Sequence, residues 1–190
     1  RSLYHWTMEL AKNPRAIWLL GFVSFIEAIF FPIPPDVLLI PMILANINRA
    51  WIYALVTTIA SVTGGLVGYT IGYLAYAQLA EPLLLSLGKQ SAMHLFSNSI
   101  NENGFLIVLT AGISPIPFKV VSIMSGFTQM PLFVFLASAL LGRATRFFIV
   151  ATLLRFYGIT IKNFIETYLG WLFLLFVLLF VIGTIGLDFL

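Results

Sequence analysis

Five charged side chains fall in stretches otherwise almost free of charge: Glu27 and Asp36 in the first half of the chain, Lys119, Arg143 and Arg146 in the second. Arg143 and Arg146 are three residues apart, so on a helix they share a face. A guanidinium binds phosphate or carboxylate through two parallel hydrogen bonds, and lysine adds a compact point charge. Three cations against two acids leave a net positive site open to an anion. Arg143, Arg146 and Lys119 are therefore the candidate phosphate-binding set. Glu27 and Asp36, carboxylates removed from water, are candidates for coupling or gating by taking up a proton. The plainer reading makes all five a set of structural ion pairs, although such pairs can often be replaced by apolar residues without loss.

The surrounding chain says what solvent these charges meet. Of 190 residues, 10 are basic and 7 acidic, so 9% are charged, while 61% are hydrophobic. Soluble domains are about a quarter charged, so most of this surface must face lipid. There a charge at mid-bilayer costs about 2.5–3.5 kcal/mol even on the lenient insertion scale, which marks intramembrane charges as functional candidates. The absence of cysteine excludes disulfides and thiolate sites. Two histidines make a histidine metal site improbable, and no cofactor is expected. The chain has no Gly-x-Ser-x-Gly, His-Glu-x-x-His or P-loop pattern, so an enzyme is not expected. Without a basic cluster, nucleic acid is not an expected partner.

Along the chain, residues 1–13 read as an interfacial amphipathic helix. An apolar run from Ala16 reaches Pro32-Ile33-Pro34-Pro35 before it is long enough to cross, and a second short run, Val37 to Ile47, follows. A crossing needs about 20 residues, so the pair reads as a re-entrant helical hairpin with Pro32 and Pro34 at its tip. Trp51 to Leu79 is then a full crossing, and residues 81–103 form a polar interfacial connector. The theme returns with Phe105 to Ser114, the tip prolines Pro115 and Pro117, Val120 to Phe127, and a crossing from Pro131 to Leu154. A break around Arg155 to Glu166 is expected before a last transmembrane helix at 168–190. The chain is thus read as one all-α polytopic membrane domain: first repeat 16–80, connector 81–103, second repeat 104–158, and the C-terminal helix.

A shift of 83 residues lays Gly21-Phe22 on Gly104-Phe105, Pro32-Ile33-Pro34 on Pro115-Ile116-Pro117, and Asp36 on Lys119. A half made of one hairpin and one crossing must be inserted upside down relative to its twin, the inverted-repeat arrangement of secondary transporters, whose sites lie at the repeat interface. With the N-terminus cytoplasmic, Arg1, Lys12, Arg15, Arg49, Arg155 and Lys162 fall inside and Lys89 outside, as the positive-inside rule requires. Ala60, Gly64, Gly68 and Gly72 form a four-residue stripe suited to close helix packing.

Glu27-x4-Pro32-x-Pro34-x-Asp36, Gly64-Gly65-x2-Gly68-Tyr69-x2-Gly72, Pro115-x-Pro117-Phe118-Lys119 and Gly142-Arg143-x2-Arg146-Phe147 together resemble the DedA superfamily, also called SNARE-associated or VTT-domain, in particular its small YqaA-like branch. Many relatives carry Glu where this chain has Asp36 and Arg where it has Lys119. The resemblance implies two opposed re-entrant hairpins that move lipid across a bilayer: undecaprenyl phosphate or a phospholipid such as phosphatidylethanolamine in bacterial members, phospholipid scrambling in eukaryotic ones. It implies Glu27 and Asp36 as the acidic pair and Lys119, Arg143 and Arg146 as the basic set. The expected function is then a lipid flippase or scramblase for a phosphate-bearing lipid, in the bacterial inner membrane, with membrane lipids and a second copy of the chain as candidate partners. A proton-coupled transporter or channel for a small ion and a non-transporting scaffold stand as alternatives.

Overall fold

The computed structural model describes residues 15–30, 33–114 and 117–187. The expected interfacial helix at 1–13 and the prolines Pro32 and Pro115 lie outside them. The described residues are all-helical, with no strand. In chain order the helices are α1 (Ala16–Glu27), α2 (Asp36–Ala45), α3 (Ala50–Ala75), α4 (Glu81–Ser86), α5 (Gln90–Glu102), α6 (Gly104–Ile113), α7 (Phe118–Phe127) and α8 (Leu132–Leu187). A single 3-10 turn, Ile47–Arg49, leads into α3, and a π-helical turn, Tyr76–Ala80, joins α3 to α4.

Proline chemistry places the interruptions. Prolines 32, 34 and 35 have no backbone N–H with which to extend α1. The carbonyls of Pro34 and Pro35 instead accept the first bonds of α2, from Val37, Leu38 and Leu39. Ser114, held extended at φ −77° and ψ 168°, ends α6, as the residue before a proline tends to be. The π turn ends two residues before Pro82, whose ring would clash with the carbonyl of Gln78 in a regular α-helix.

Among the described residues two stretches are long and apolar enough to cross a membrane, Ile47–Ser86 and Leu132–Gly158. The break expected around Arg155 to Glu166 is absent: the backbone stays helical from Leu132 to Leu187. Between Arg155 and Glu166 the chain holds one glycine, Gly158, and no proline, and a lone glycine costs a helix only about 1 kcal/mol.

The contacts fix how the helices run. Gly21 meets Val56 and Gly64 meets Phe25, so α1 lies parallel to α3. Gly104 meets Met130 and Gly112 meets Gly142, so α6 likewise follows α8. Phe118 beside Gly65 and Phe127 beside Tyr76 set α7 along α3. Asp36 beside Arg146, and Ile47 beside Arg155, set α2 along α8. Trp51 against Phe148 and Tyr69 against Phe135 make α3 and α8 antiparallel. The first helix of each short pair therefore follows the long helix of its own half, and the second follows that of the other half.

The distribution of polarity is inverted relative to a water-soluble bundle. Ser24, Thr57, Thr58, Ser61, Ser122, Ser125, Thr128, Ser138 and Arg143 are buried, while Ile52, Leu55, Ile59, Leu140, Leu141, Ile149 and Phe133, the last 82% exposed, face outward. Apolar surface on that scale belongs against lipid, and the chain is a membrane protein. Lipid is as apolar as leucine, so helix association rests on close packing. Here glycine provides it: a Cβ on Gly72 would run into the Ile123 carbonyl, and one on Gly126 into that of Tyr69, so α3 and α7 touch backbone to backbone.

Candidate functional site

The site forms where the ends of the two short helix pairs meet on α8. Glu27 is the last residue of α1 and Asp36 the first of α2, where its charge also suits the helix N-terminus. Arg143 and Arg146, one turn apart, reach them. Arg143 Nη2 lies 3.3 Å from Glu27 Oε2, and Arg146 Nη2 lies 2.6 Å from Asp36 Oδ2. Both pairs join residues more than a hundred positions apart.

The two arginines are bound differently. The Arg143 side chain is 3% exposed, with its guanidinium 4.2 Å from the centre of the buried Phe118 ring and 5.6 Å from that of Phe147. Its Nε has no hydrogen-bond partner. Phe118 occupies the space left by Gly65, where a Cβ would stand 2.7 Å from the ring. Arg146 is 23% exposed and also donates through Nη1 to the Ser114 carbonyl at 3.0 Å. That carbonyl is available because Ser114 has left the helix. Arg146 therefore ties the start of α2 to the end of α6.

Lys119 stands in the first turn of α7, the wrong end of a helix for a cation. Its Nζ donates instead to the Phe30 carbonyl, just past α1, at 3.4 Å. The 83-residue shift aligns Asp36 with Lys119, but Asp36 takes Arg146 as its ion-pair partner. Glu27 lies within electrostatic reach of Arg143, Arg146, Lys119 and Asp36, so all five charges share one neighbourhood. Pro34 and Pro117 are exposed beside it.

Of the small-residue stripe, Gly64 approaches α1 and Gly72 approaches α7, while Gly68 faces the Ser122 hydroxyl. Ala60 is partly buried. Tyr69 is a packing residue that donates its hydroxyl to the Met130 carbonyl and stacks on Phe135. Reasoning from sequence missed the two aromatic rings under Arg143 and the carbonyls of Ser114 and Phe30. Phe118 and Phe147 adjoin the charged residues in sequence, but backbone acceptors leave no trace in residue type.

The VTT domain matches this chain over residues 33–172. An uncharacterized protein of Haemophilus influenzae is 43% identical over 152 residues, 80% of this chain and 79% of the relative. One from Histophilus somni is 37% identical over 90% of both chains, and one from Methanocaldococcus jannaschii is 32% identical over 65% of this chain and 74% of its own. No solved structure matches.

Proposed function

The chain belongs to the VTT domain family, and on that premise we propose that it is a flippase- or scramblase-type transporter for a phosphate-bearing lipid, a polyprenyl phosphate or a phospholipid. The observation that carries this reading is the cluster of three cations and two acids where two proline-broken helix pairs meet, inside a shell whose exposed face is apolar. The headgroup enters the polar junction, drawn by the field of Arg143, Arg146 and Lys119, while its tail stays in lipid. Glu27 and Asp36 gate or couple the step by taking up a proton. The short pairs act as re-entrant hairpins of an inverted repeat, a reading supported by the reciprocal way each pair's second helix lies along the other half's long helix.

Arg155 donates to the Ile47 carbonyl, which sets it at the Arg49 end of α3. This clustering supports a cytoplasmic N-terminus in the inner membrane of a bacterium. A small-ion path is less well supported, because Ser24, Thr57 and Thr58 spend their hydroxyl protons on carbonyls of their own helices. Transport of labelled lipid in proteoliposomes by an Arg143→Ala, Arg146→Ala double variant tests the phosphate role. Loss is expected, and transport at the wild-type rate removes it.

A further inference from the structure

Arg143 and Arg146 share a helix face, yet only one is built to change partners. Arg143 is enclosed: two buried phenylalanine rings lie within 6 Å of its guanidinium, Glu27 accepts from it, and a Cβ on Gly112 would meet its backbone nitrogen at 3.2 Å. A phosphate would have to displace core side chains to reach it. Arg146 and Asp36 are each about a fifth exposed, so both are reachable from outside the core. Their ion pair runs through a single carboxylate oxygen, while Asp36 Oδ1 is buried without a hydrogen-bond partner among the described residues. A carboxylate half satisfied is a weak occupant of a forked donor, and a phosphate oxygen pair matches that fork better.

We propose that Arg143 is a fixed post and that a phosphate monoester headgroup competes with Asp36 for Arg146, displacing the carboxylate and loosening the tie between α2 and α6. This rests on the transporter reading above and names its exchange step. Exchange at Arg146 releases Asp36 from the helix that carries the Ser114 contact, so headgroup binding and separation of α2 from α6 become one event. Arg143, Phe118 and Glu27 keep the rest of the junction in place while this happens.

Binding of fluorescent phosphatidic acid to the full chain in phosphatidylcholine nanodiscs tests the exchange. Asp36→Asn removes the competitor and is expected to tighten binding about tenfold, a gain on the scale of one charge-assisted hydrogen bond. Adding Arg146→Gln abolishes that gain, and Glu27→Gln produces no tightening. Arg146→Lys, which keeps the charge without the fork, binds about tenfold more weakly and gives an independent reading should Asp36→Asn fold poorly. Unchanged affinity in Asp36→Asn, or equal tightening in Glu27→Gln, overturns the proposal. Inorganic phosphate competing as strongly as the lipid assigns the exchange to free phosphate and overturns the lipid headgroup as its agent. Lipid movement by the wild type without tightening in Asp36→Asn leaves the transporter standing and refutes the competition. Neither binding nor movement refutes both.

Discussion

Arg146 stands 2.6 Å from Asp36, a residue 110 positions earlier in the chain. The contact holds the first residue of α2 against the middle of the Leu132–Gly158 stretch of α8, and the Arg146–Ser114 bond extends it to the end of α6. One side chain thus joins two proline-broken segments. A charge is costly in lipid, so its partners fix where α8 can sit.

The Glu27–Arg143 pair is expected to behave as a buried ion pair. Glu27→Ala leaves Arg143 uncompensated and should destabilise the fold by about 3–5 kcal/mol, whereas adding Arg143→Met should restore most of that. Thermal unfolding of the single and double variants in detergent checks it. A double variant no more stable than Glu27→Ala would show that the pair is not what suffers in the single one.

Close packing sets a second expectation. Gly72→Ala drives a methyl into the Ile123 carbonyl, which is backbone and cannot rotate away, while Gly21→Ala meets only a Val56 methyl at 3.4 Å. Gly72→Ala should cost at least about 1–3 kcal/mol, and Gly21→Ala should be tolerated. Monodispersity and unfolding temperature of the two purified variants discriminate them.

Two helix ends use the same cap with different residues. After α4, Gly88 takes φ 65°, and Lys89 bonds back to Leu84. After α7, Gln129 takes φ 55°, and Met130 bonds back to Ser125. A side chain in this left-handed position is disfavoured. Gln129→Gly should therefore stabilise by about 1 kcal/mol and Gly88→Ala destabilise by a similar amount, read as opposite shifts in unfolding temperature.

The chain has no cysteine, so single-cysteine labelling is clean. Asn48→Cys lies at the start of the long stretch Ile47–Ser86 and Lys89→Cys just past its end. In intact cells a membrane-impermeant maleimide should modify the Lys89→Cys variant at once and the Asn48→Cys variant only after permeabilisation. Equal labelling would contradict the crossing, and reversed labelling the assigned orientation.

Much of the helix layout was legible because proline and apolar run length act locally. The runs starting at Ala16, Val37, Phe105 and Val120 all became short helices ending at or beginning from proline segments. The continuity of α8 was not legible, because the polar residues Arg155, Lys162 and Glu166 look like a loop in composition yet lack a residue that stops a helix. In the candidate site, the charges announced themselves by being out of place in apolar stretches. Their pairing did not: the 83-residue shift aligns Asp36 with Lys119, but packing of α2 along α8 brings Arg146 to Asp36 instead. The Phe118 ring beneath Arg143 depends on the space at Gly65, a three-body relationship that no spacing in one chain reveals.

The most direct test is transbilayer movement of labelled phosphatidylethanolamine and of a polyprenyl phosphate in liposomes holding the purified protein, against protein-free liposomes, with and without a pH gradient. The account predicts that at least one of these lipids moves faster with the protein present, and that Arg146→Gln abolishes the gain. Movement of neither lipid under either condition, from protein shown to be folded and inserted, would contradict it.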